Sequence, residues 1–156
     1  MVAARRGPLH ASNDAMTARK DEIDWTRHEA PSLAELETLA DAAYKRLPDA
    51  FRRLTGDLVI RVEDFPTDEV LDQLGIESPF DLLGLYTGVD LGRKSVMDVS
   101  ALPDMVFLYR RPILDYWAEH EERLGALVTH VLVHEIGHHF GLSDADMERI
   151  ETEAAA

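Results

Sequence analysis

The chain has 156 residues, enough for one domain with a buried core. Apolar residues make up 46% of the sequence and charged residues 29%, which are the proportions of a globular protein rather than a disordered one. The formal net charge of −14 argues against a surface that binds nucleic acid or anionic membranes, because phosphate groups require a basic face. We therefore expect neither a nucleic-acid partner nor a membrane partner.

The sequence contains no cysteine. This absence excludes a disulfide framework, a thiol nucleophile and a cysteine-bound zinc, so any metal must be held by histidine and carboxylate side chains. Arg5 and Arg6 near the N-terminus are not followed by the apolar stretch of a secretory signal, and there is no run of about 18 apolar residues. We predict a cytoplasmic protein.

The first 30 residues differ in character from the rest of the chain. Residues 1–20 are rich in Ala, Ser, Asn and Arg and show no sustained apolar period, which is typical of a flexible segment. We therefore predict a flexible tail over residues 1–30 and a single domain over residues 31–156.

The periodicity of residues 31–156 predicts alternating helices and strands. Ser32 and Glu35 have the spacing of a capping box, and the apolar residues that follow recur at helical intervals. We predict helices over about 32–46, 67–74, 112–119, 121–140 and 143–153, a helical turn near 49–54, and strands over 57–64, 83–86 and 105–109, with a hairpin turn after the second strand. This order indicates an α+β fold in which a small mixed sheet packs against the long helix.

The most informative stretch is residues 134–144, which read HEIGHHFGLSD. His134 and His138 are four residues apart, so on a helix their imidazoles stand on one face, where a single tetrahedral zinc ion can bind both. Glu135 points aside from the two ligands and can reach a water rather than the metal. This is the HExxH arrangement of zinc peptidases, in which the glutamate is the general base; the alternative is a surface carboxylate paired with a helix neighbour.

A catalytic zinc ion requires a third protein ligand. Gly141 can adopt a positive φ and end the helix, and Asp144 then follows within reach of the metal. The alternative role for Asp144 is to cap the next helix. The resulting HExxHxxGxxD pattern has the layout of the long metzincin motif with aspartate in place of the third histidine. Two imidazoles and one carboxylate leave a zinc site at about +1 rather than +2, so we expect a less acidic water and activity that is modest or shifted to higher pH.

Residues 83–89, 106–114 and 134–144, with sequences LGLYTGV, VFLYRRPIL and HEIGHHFGLSD, resemble the small bacterial zincin-like metallopeptidases, also called minimal zincins. The resemblance implies a compact α+β domain with a zinc site. It also implies that the strand at 105–109 holds an extended substrate along its edge. The larger metzincins have a methionine turn below the metal, which this sequence lacks, so support beneath the metal is expected to be thin.

Four further side chains are candidates near the site. Tyr86 and Tyr109 are candidates for hydrogen bonding to a tetrahedral oxyanion, or else core tyrosines. His139 is a candidate substrate or proton-transfer group, or an exposed residue at the helix end. His130, one turn before His134, is an alternative metal ligand or a residue that supports the ligands.

The sequence therefore predicts a zinc metallopeptidase. In this prediction a zinc-bound water attacks the peptide carbonyl, Glu135 is the general base, and the partner is a peptide or protein substrate. The main alternative is a catalytically weak or inactive protein that uses the same fold to bind metal. A small metal-dependent ribonuclease is a third possibility, but the acidic composition and Glu135 argue against it.

Overall fold

The computed structural model describes residues 22–88 and 103–156. The predicted tail over 1–30 therefore lies mostly outside the described residues, as does the hairpin turn predicted after the strand at 83–86. The chain divides into two units between Ala30 and Pro31. In the first unit, the described residues form a turn in which the Asp24 carboxylate accepts hydrogen bonds from the backbone N–H and the hydroxyl of Thr26.

The second unit contains helices and strands of the types that the periodicity predicts. Their bounds are α1 Leu33–Lys45, α2 Asp49–Arg52, β1 Val59–Glu63, α3 Asp68–Leu74, a 3₁₀ turn Pro79–Asp81, β2 Gly84–Thr87, β3 Met105–Tyr109, α4 Arg110–Glu119, α5 Leu124–His139 and α6 Asp144–Ala155. Three predicted starts are wrong by two or more residues, and the first is that of β1, which begins at Val59 rather than at residue 57. Helix α4 begins directly where β3 ends rather than at Pro112, and α5 begins after residues 121–123, where its cap residue Arg123 makes no side-chain capping bond.

Side-chain caps fix the starts of helices α1 and α3. The Ser32 hydroxyl accepts a hydrogen bond from the Glu35 N–H while the Glu35 carboxylate accepts one from the Ser32 N–H, which confirms the predicted capping box. The Thr67 hydroxyl caps α3 by accepting a hydrogen bond from the Val70 N–H, and Gly75 ends that helix in the left-handed conformation with φ 67°. Ser32 and Thr67 therefore determine where α1 and α3 start, and Gly75 determines where α3 ends.

The sheet is mixed, with strand order β1-β3-β2. Strands β1 and β3 are parallel, and β2 and β3 are antiparallel with Gly84 opposite Leu108. Because β3 is paired on both sides, the expectation that residues 105–109 offer a free edge to substrate is wrong. Within the described part of the chain, the strand that lies beside α5 at a sheet edge is β2.

Helix α5 lies at the centre of the second unit. It packs against β2 and β3, and it also contacts α1, α4 and α6, so apolar residues occupy nearly all of its sides. Its buried residues are Leu127, Val128, Val131, Leu132, Val133, Ile136 and Gly137. None of the helices within residues 22–88 and 103–156 is long and apolar enough to cross a membrane.

A tight turn joins α5 to α6. Gly141 adopts φ 71°, its N–H donates to the carbonyl of His138, and the N–H of Leu142 donates to the carbonyl of Gly137 at 2.9 Å. This pattern is a Schellman motif and confirms the left-handed helix end predicted at Gly141. The Ser143 hydroxyl then caps α6, which returns antiparallel to α5.

Candidate metal and catalytic site

The two histidines of the HExxH motif lie on the last turns of α5. The ring centroids of His134 and His138 are 5.5 Å apart, and the rings are nearly perpendicular at 89°. His134 is partly buried and His138 is exposed. The helix therefore presents the two imidazoles as neighbours on one face, as their spacing predicts.

Glu135 faces the sheet and not the histidine stripe, which is the face of α5 that carries His134 and His138. Its carboxylate accepts a hydrogen bond from the backbone N–H of Tyr86 in β2. Burial raises the pKa of Glu135, and the proximity of His138 and the Tyr86 bond partly oppose this rise. A carboxylate with a raised pKa is suited to accept and return a proton near neutral pH.

The close approach of β2 to α5 depends on Gly84. A methyl group at this position would lie 2.8 Å from Val131 Cγ1 and 3.3 Å from Glu135 Cγ. The glycine is buried. Because Gly84 has no side chain, strand β2 can lie directly against the helix, and the N–H of Tyr86 comes within reach of Glu135.

Asp144 is the first residue of α6 and is exposed. The helix is capped by Ser143, whose hydroxyl accepts a hydrogen bond from the N–H of Asp146 at 3.1 Å, so the capping alternative for Asp144 is not realised. The charge of Asp144 raises the pKa of His134, which places this carboxylate in the neighbourhood of the histidine. The side chain of Asp144 is therefore available for another role.

The pKa of His134 is lowered, first by burial and then by the neighbouring His130. The charges of Glu151 and Asp144 act in the opposite direction. A lowered pKa favours the neutral imidazole, which is the form that binds a metal ion.

His134 also contacts a carboxylate from α6. Glu151 Oε1 lies 3.2 Å from His134 Nε2 and 3.0 Å from His130 Nδ1. Among residues 22–88 and 103–156, His130, His134 and Glu151 are the one group of potential metal ligands whose donor atoms all lie within 4.8 Å of one another. His134, His138 and Asp144 do not form so close a group.

Aromatic residues border Glu135 on the side of β2. The rings of Tyr86 and His139 stack with centroids 4.1 Å apart, and Phe140 packs edge-on against Tyr86. The Tyr86 hydroxyl donates a hydrogen bond to Asp104, and burial followed by this bond strongly raises the pKa of Tyr86. Tyr86 and His139 therefore lie beside the candidate base, although the Tyr86 hydroxyl already has a partner.

Tyr109 has a different environment. It is only 2% exposed, and burial, followed by the charges of Glu63 and Glu135, raises its pKa to about 12. A hydroxyl held this deeply is not favoured for direct contact with substrate. The structure places Tyr109 in the core, where it is within electrostatic range of Glu135.

A family model described as zincin-like metallopeptidase matches residues 55–154, more than half of the chain. The matched region runs from before β1 to the end of α6 and includes the whole HExxH motif. The chain belongs to the zincin-like metallopeptidase family. None of the curated proteins with which the chain was compared matches it.

The donor atoms of this zincin fit the metal that the family implies, which is typically zinc. The site offers imidazole nitrogens and carboxylate oxygens, which are ordinary zinc ligands. Glu151 Oε1 is buried and has no hydrogen-bond partner within the described parts of the chain, although two imidazole nitrogens lie close to it. Such an oxygen is a suitable partner for a cation.

Sequence reasoning considered His130 but missed Glu151 of the zincin. The signal was present in the spacing of α6, because Glu151 follows the buried Met147 by four residues and so lies on the same helix face. That face is directed at α5. A search for carboxylates on the inner face of the helix after the motif would have found it.

Proposed function

We propose that this zincin hydrolyses peptide bonds, with Glu135 as the general base. The observation that carries the proposal is the position of Glu135 between the histidine stripe of α5 and strand β2. Its carboxylate is oriented by a backbone N–H, is partly shielded from water, and has a raised pKa. These are the properties that general-base catalysis requires.

His134, His138 and Asp144 are the proposed zinc ligands. The two imidazoles share one face of α5, and the short turn after the helix brings Asp144 to the same end of the site. When bound, zinc supplies a Lewis acid that polarises the scissile carbonyl. Two neutral imidazoles and one carboxylate are a three-ligand set of the kind found in catalytic zinc sites.

The role of Glu135 is to move one proton twice. It takes a proton from the attacking water as the oxygen bonds to the carbonyl carbon, and it then gives that proton to the departing amide nitrogen as the C–N bond breaks. The products are a carboxylate and an amine. The raised pKa of Glu135 helps the first transfer, because a carboxylate with a higher pKa is a stronger base.

We propose that the substrate lies along β2. In the described residues this strand is at the edge of the sheet, and it contacts the helix that carries Glu135. An extended peptide beside such an edge forms main-chain hydrogen bonds and presents alternate side chains to the protein. Tyr86 and His139 would then border the residue next to the cleaved bond.

The decisive experiment compares the wild type with Glu135→Gln on a fluorogenic peptide library at equal zinc content. Glutamine keeps the size of the side chain and an oxygen that can accept the bond from Tyr86, but it cannot take up a proton. We expect turnover to fall by about 10²- to 10⁴-fold. Glu121→Gln, at an exposed glutamate before α5, is the matched control and should leave turnover unchanged.

Retained activity in Glu135→Gln would show that another group is the base.

A second experiment addresses the ligands: elemental mass spectrometry of Asp144→Ala should show a large loss of zinc relative to the wild type. Full zinc in this variant would remove Asp144 from the ligand set.

The second candidate function is metal binding without turnover. It is favoured by the contact between His134 and Glu151, which ties one proposed catalytic ligand to a carboxylate outside the HExxHxxGxxD motif. This alternative predicts that a chelator lowers the unfolding temperature while no peptide of the library is cleaved.

A further inference from the structure

The contact between α5 and α6 contains a set of potential metal ligands that shares only His134 with the proposed catalytic ligands. His130 and His134 are four residues apart on α5, and their ring centroids are 3.9 Å apart. Glu151 of α6 lies opposite both of them. Only His134 belongs to the set that the HExxHxxGxxD motif identifies.

The separations between these donor atoms suit a tetrahedral ion. With zinc–ligand bonds of about 2.0–2.1 Å, two ligands of a tetrahedral site are about 3.3–3.4 Å apart. Glu151 Oε1 is 3.2 Å from His134 Nε2 and 3.0 Å from His130 Nδ1. All three donor atoms lie within 4.8 Å of one another, which is close enough for one ion to contact all of them.

The environment of Glu151 Oε1 also favours a bound cation. The atom is buried, and within the parts of the chain that the structure describes it has no hydrogen-bond partner of proper geometry. The other carboxylate oxygen, Oε2, lies 3.2 Å from His130 Nδ1 in a hydrogen bond. A buried carboxylate oxygen without a donor is costly, and a cation bound by the adjacent imidazoles would remove that cost.

We propose that His130, His134 and Glu151 form a second site for zinc or a similar divalent transition metal, and that this site is an alternative to the catalytic one. The unprotonated nitrogen of a neutral imidazole has a single lone pair. An ion bound to His134 in one site therefore excludes an ion bound to it in the other. The claim that this site binds metal does not depend on the proposed peptidase function, whereas the claim that binding there inhibits the enzyme rests on that function.

The consequence is that an ion bound in the second site inhibits the enzyme. An ion held by His130 and Glu151 takes His134 away from His138 and Asp144, and Glu135 then has no ion beside it. The two sites have donors of the same kind, two imidazoles and one carboxylate, so neither is favoured strongly by ligand type. The His130 side chain is 50% exposed, so solvent ions have access to this site.

The first test uses the double variant His138→Ala/Asp144→Ala, which removes two of the three proposed catalytic ligands. We expect it to retain about one zinc ion per chain by equilibrium dialysis and elemental mass spectrometry. Adding Glu151→Gln should weaken this binding by at least about tenfold to 100-fold. Adding Glu148→Gln, which alters an exposed carboxylate one turn earlier on α6, should leave it unchanged.

A folded double variant that binds no zinc would overturn the proposal. If the double variant does not fold, Asp144→Asn with and without Glu151→Gln provides the same comparison with a milder change. If Asp144→Asn binds zinc with the same affinity with and without Glu151→Gln, the proposed second site is wrong.

The second test measures peptidase activity of Glu151→Gln at one zinc per chain. If the two sites have equal affinity, removal of the alternative site raises activity by about twofold, because the ion is then confined to the catalytic ligands. A parallel loss of activity and zinc would instead make Glu151 a ligand of the catalytic ion and would overturn the proposal. Zinc binding by a wild type that cleaves no peptide would contradict the peptidase function but leave the first test valid.

Discussion

On the side of α5 that faces the sheet, Glu135 accepts a hydrogen bond from a backbone N–H of β2. On the side that faces α6, His134 meets the carboxylate of Glu151, with His138 and the start of α6 close by. The first partner is part of a strand whose position is fixed by its hydrogen bonds to β3. The second partner, Glu151, is a side chain that can rotate. A second carboxylate, that of Asp144, also lies near His134.

Under the proposed function, this difference divides the two chemical tasks between the two sides of α5. A general base must be held at one place relative to the scissile bond, and a backbone partner provides that precision. Metal ligands can be exchanged between neighbouring side chains at a smaller structural cost. We therefore expect changes on the sheet side to alter turnover, and changes on the α6 side to alter metal content.

The largest effect is expected from Gly137→Ala on the α6 side. A methyl group there would lie 2.4 Å from Met147 Sδ and 2.8 Å from Met147 Cγ, and Met147 is fully buried. Overpacking of this kind should lower the free energy of unfolding by about 2 kcal/mol and displace α6, with loss of zinc. Chemical denaturation and elemental mass spectrometry would measure the two changes.

Gly125→Ala is the matched control for this variant. It makes the same substitution on the same helix, but the new methyl group would meet only Leu39 Cδ1 at 3.8 Å, which is an ordinary contact. Stability should stay the same or rise slightly, since alanine favours the helix. Equal destabilisation by both substitutions would show that the contact with Met147 is not the cause.

The next effect is expected from Gly84→Ala on the sheet side. The added methyl group would contact Val131 Cγ1 and also the carbonyl oxygen of Phe107, at 3.1 Å, so β2 must move away from α5. We expect a loss of about 1–2 kcal/mol in stability and a fall in turnover with little change in zinc content. Thr87→Ala, at an exposed position of the same strand, is the control. Loss of zinc in proportion to activity would contradict the division between the two sides.

A smaller effect is expected from Ser143→Ala. The Ser143 hydroxyl accepts the N–H of Asp146 and donates to its carboxylate, and these bonds lower the pKa of Asp146. Removal of the cap should cost about 1 kcal/mol and let the pKa of Asp146 rise toward its usual value. Thermal unfolding and an NMR titration would detect the changes, and Ser143→Thr, which keeps the hydroxyl, should show neither.

The smallest effect concerns the stability of the metal-free protein as a function of pH. Because burial raises the pKa of Glu135 in the folded state, stability is highest below the unfolded pKa and declines as pH rises through the folded pKa. Glu135→Gln removes this decline. In the presence of a chelator the variant should therefore be more stable than the wild type near pH 8, by less than about 1 kcal/mol, and equal to it near pH 4. A constant difference across this range would exclude ionisation of Glu135 as the cause.

Local signals in the sequence predicted most of the fold. Ser32, Thr67 and Gly141 each determine a helix end through their own backbone or side-chain geometry, so their roles could be read without knowledge of distant residues. The HExxH spacing likewise needs only the helical repeat. These features are confirmed because they depend on neighbours along the chain.

Features that depend on distant neighbours were not predicted. The position of β3 between β1 and β2 depends on how strands far apart in sequence pair, so the expectation of a free edge at residues 105–109 was wrong. Glu151 was missed because its importance comes from the packing of α6 on α5. The raised pKa of Glu135 also results from burial against β2, which the motif alone does not reveal.

The turn at Gly141 brings the carboxylates of α6 beside the histidines of α5. The connection of only a few residues therefore sets the local concentration of these ligands. No segment of the chain has to become ordered when a metal ion binds. The entropic cost of assembling the site is met during folding. If both proposed metal sites exist, we expect an ion to pass between them with little change in the backbone.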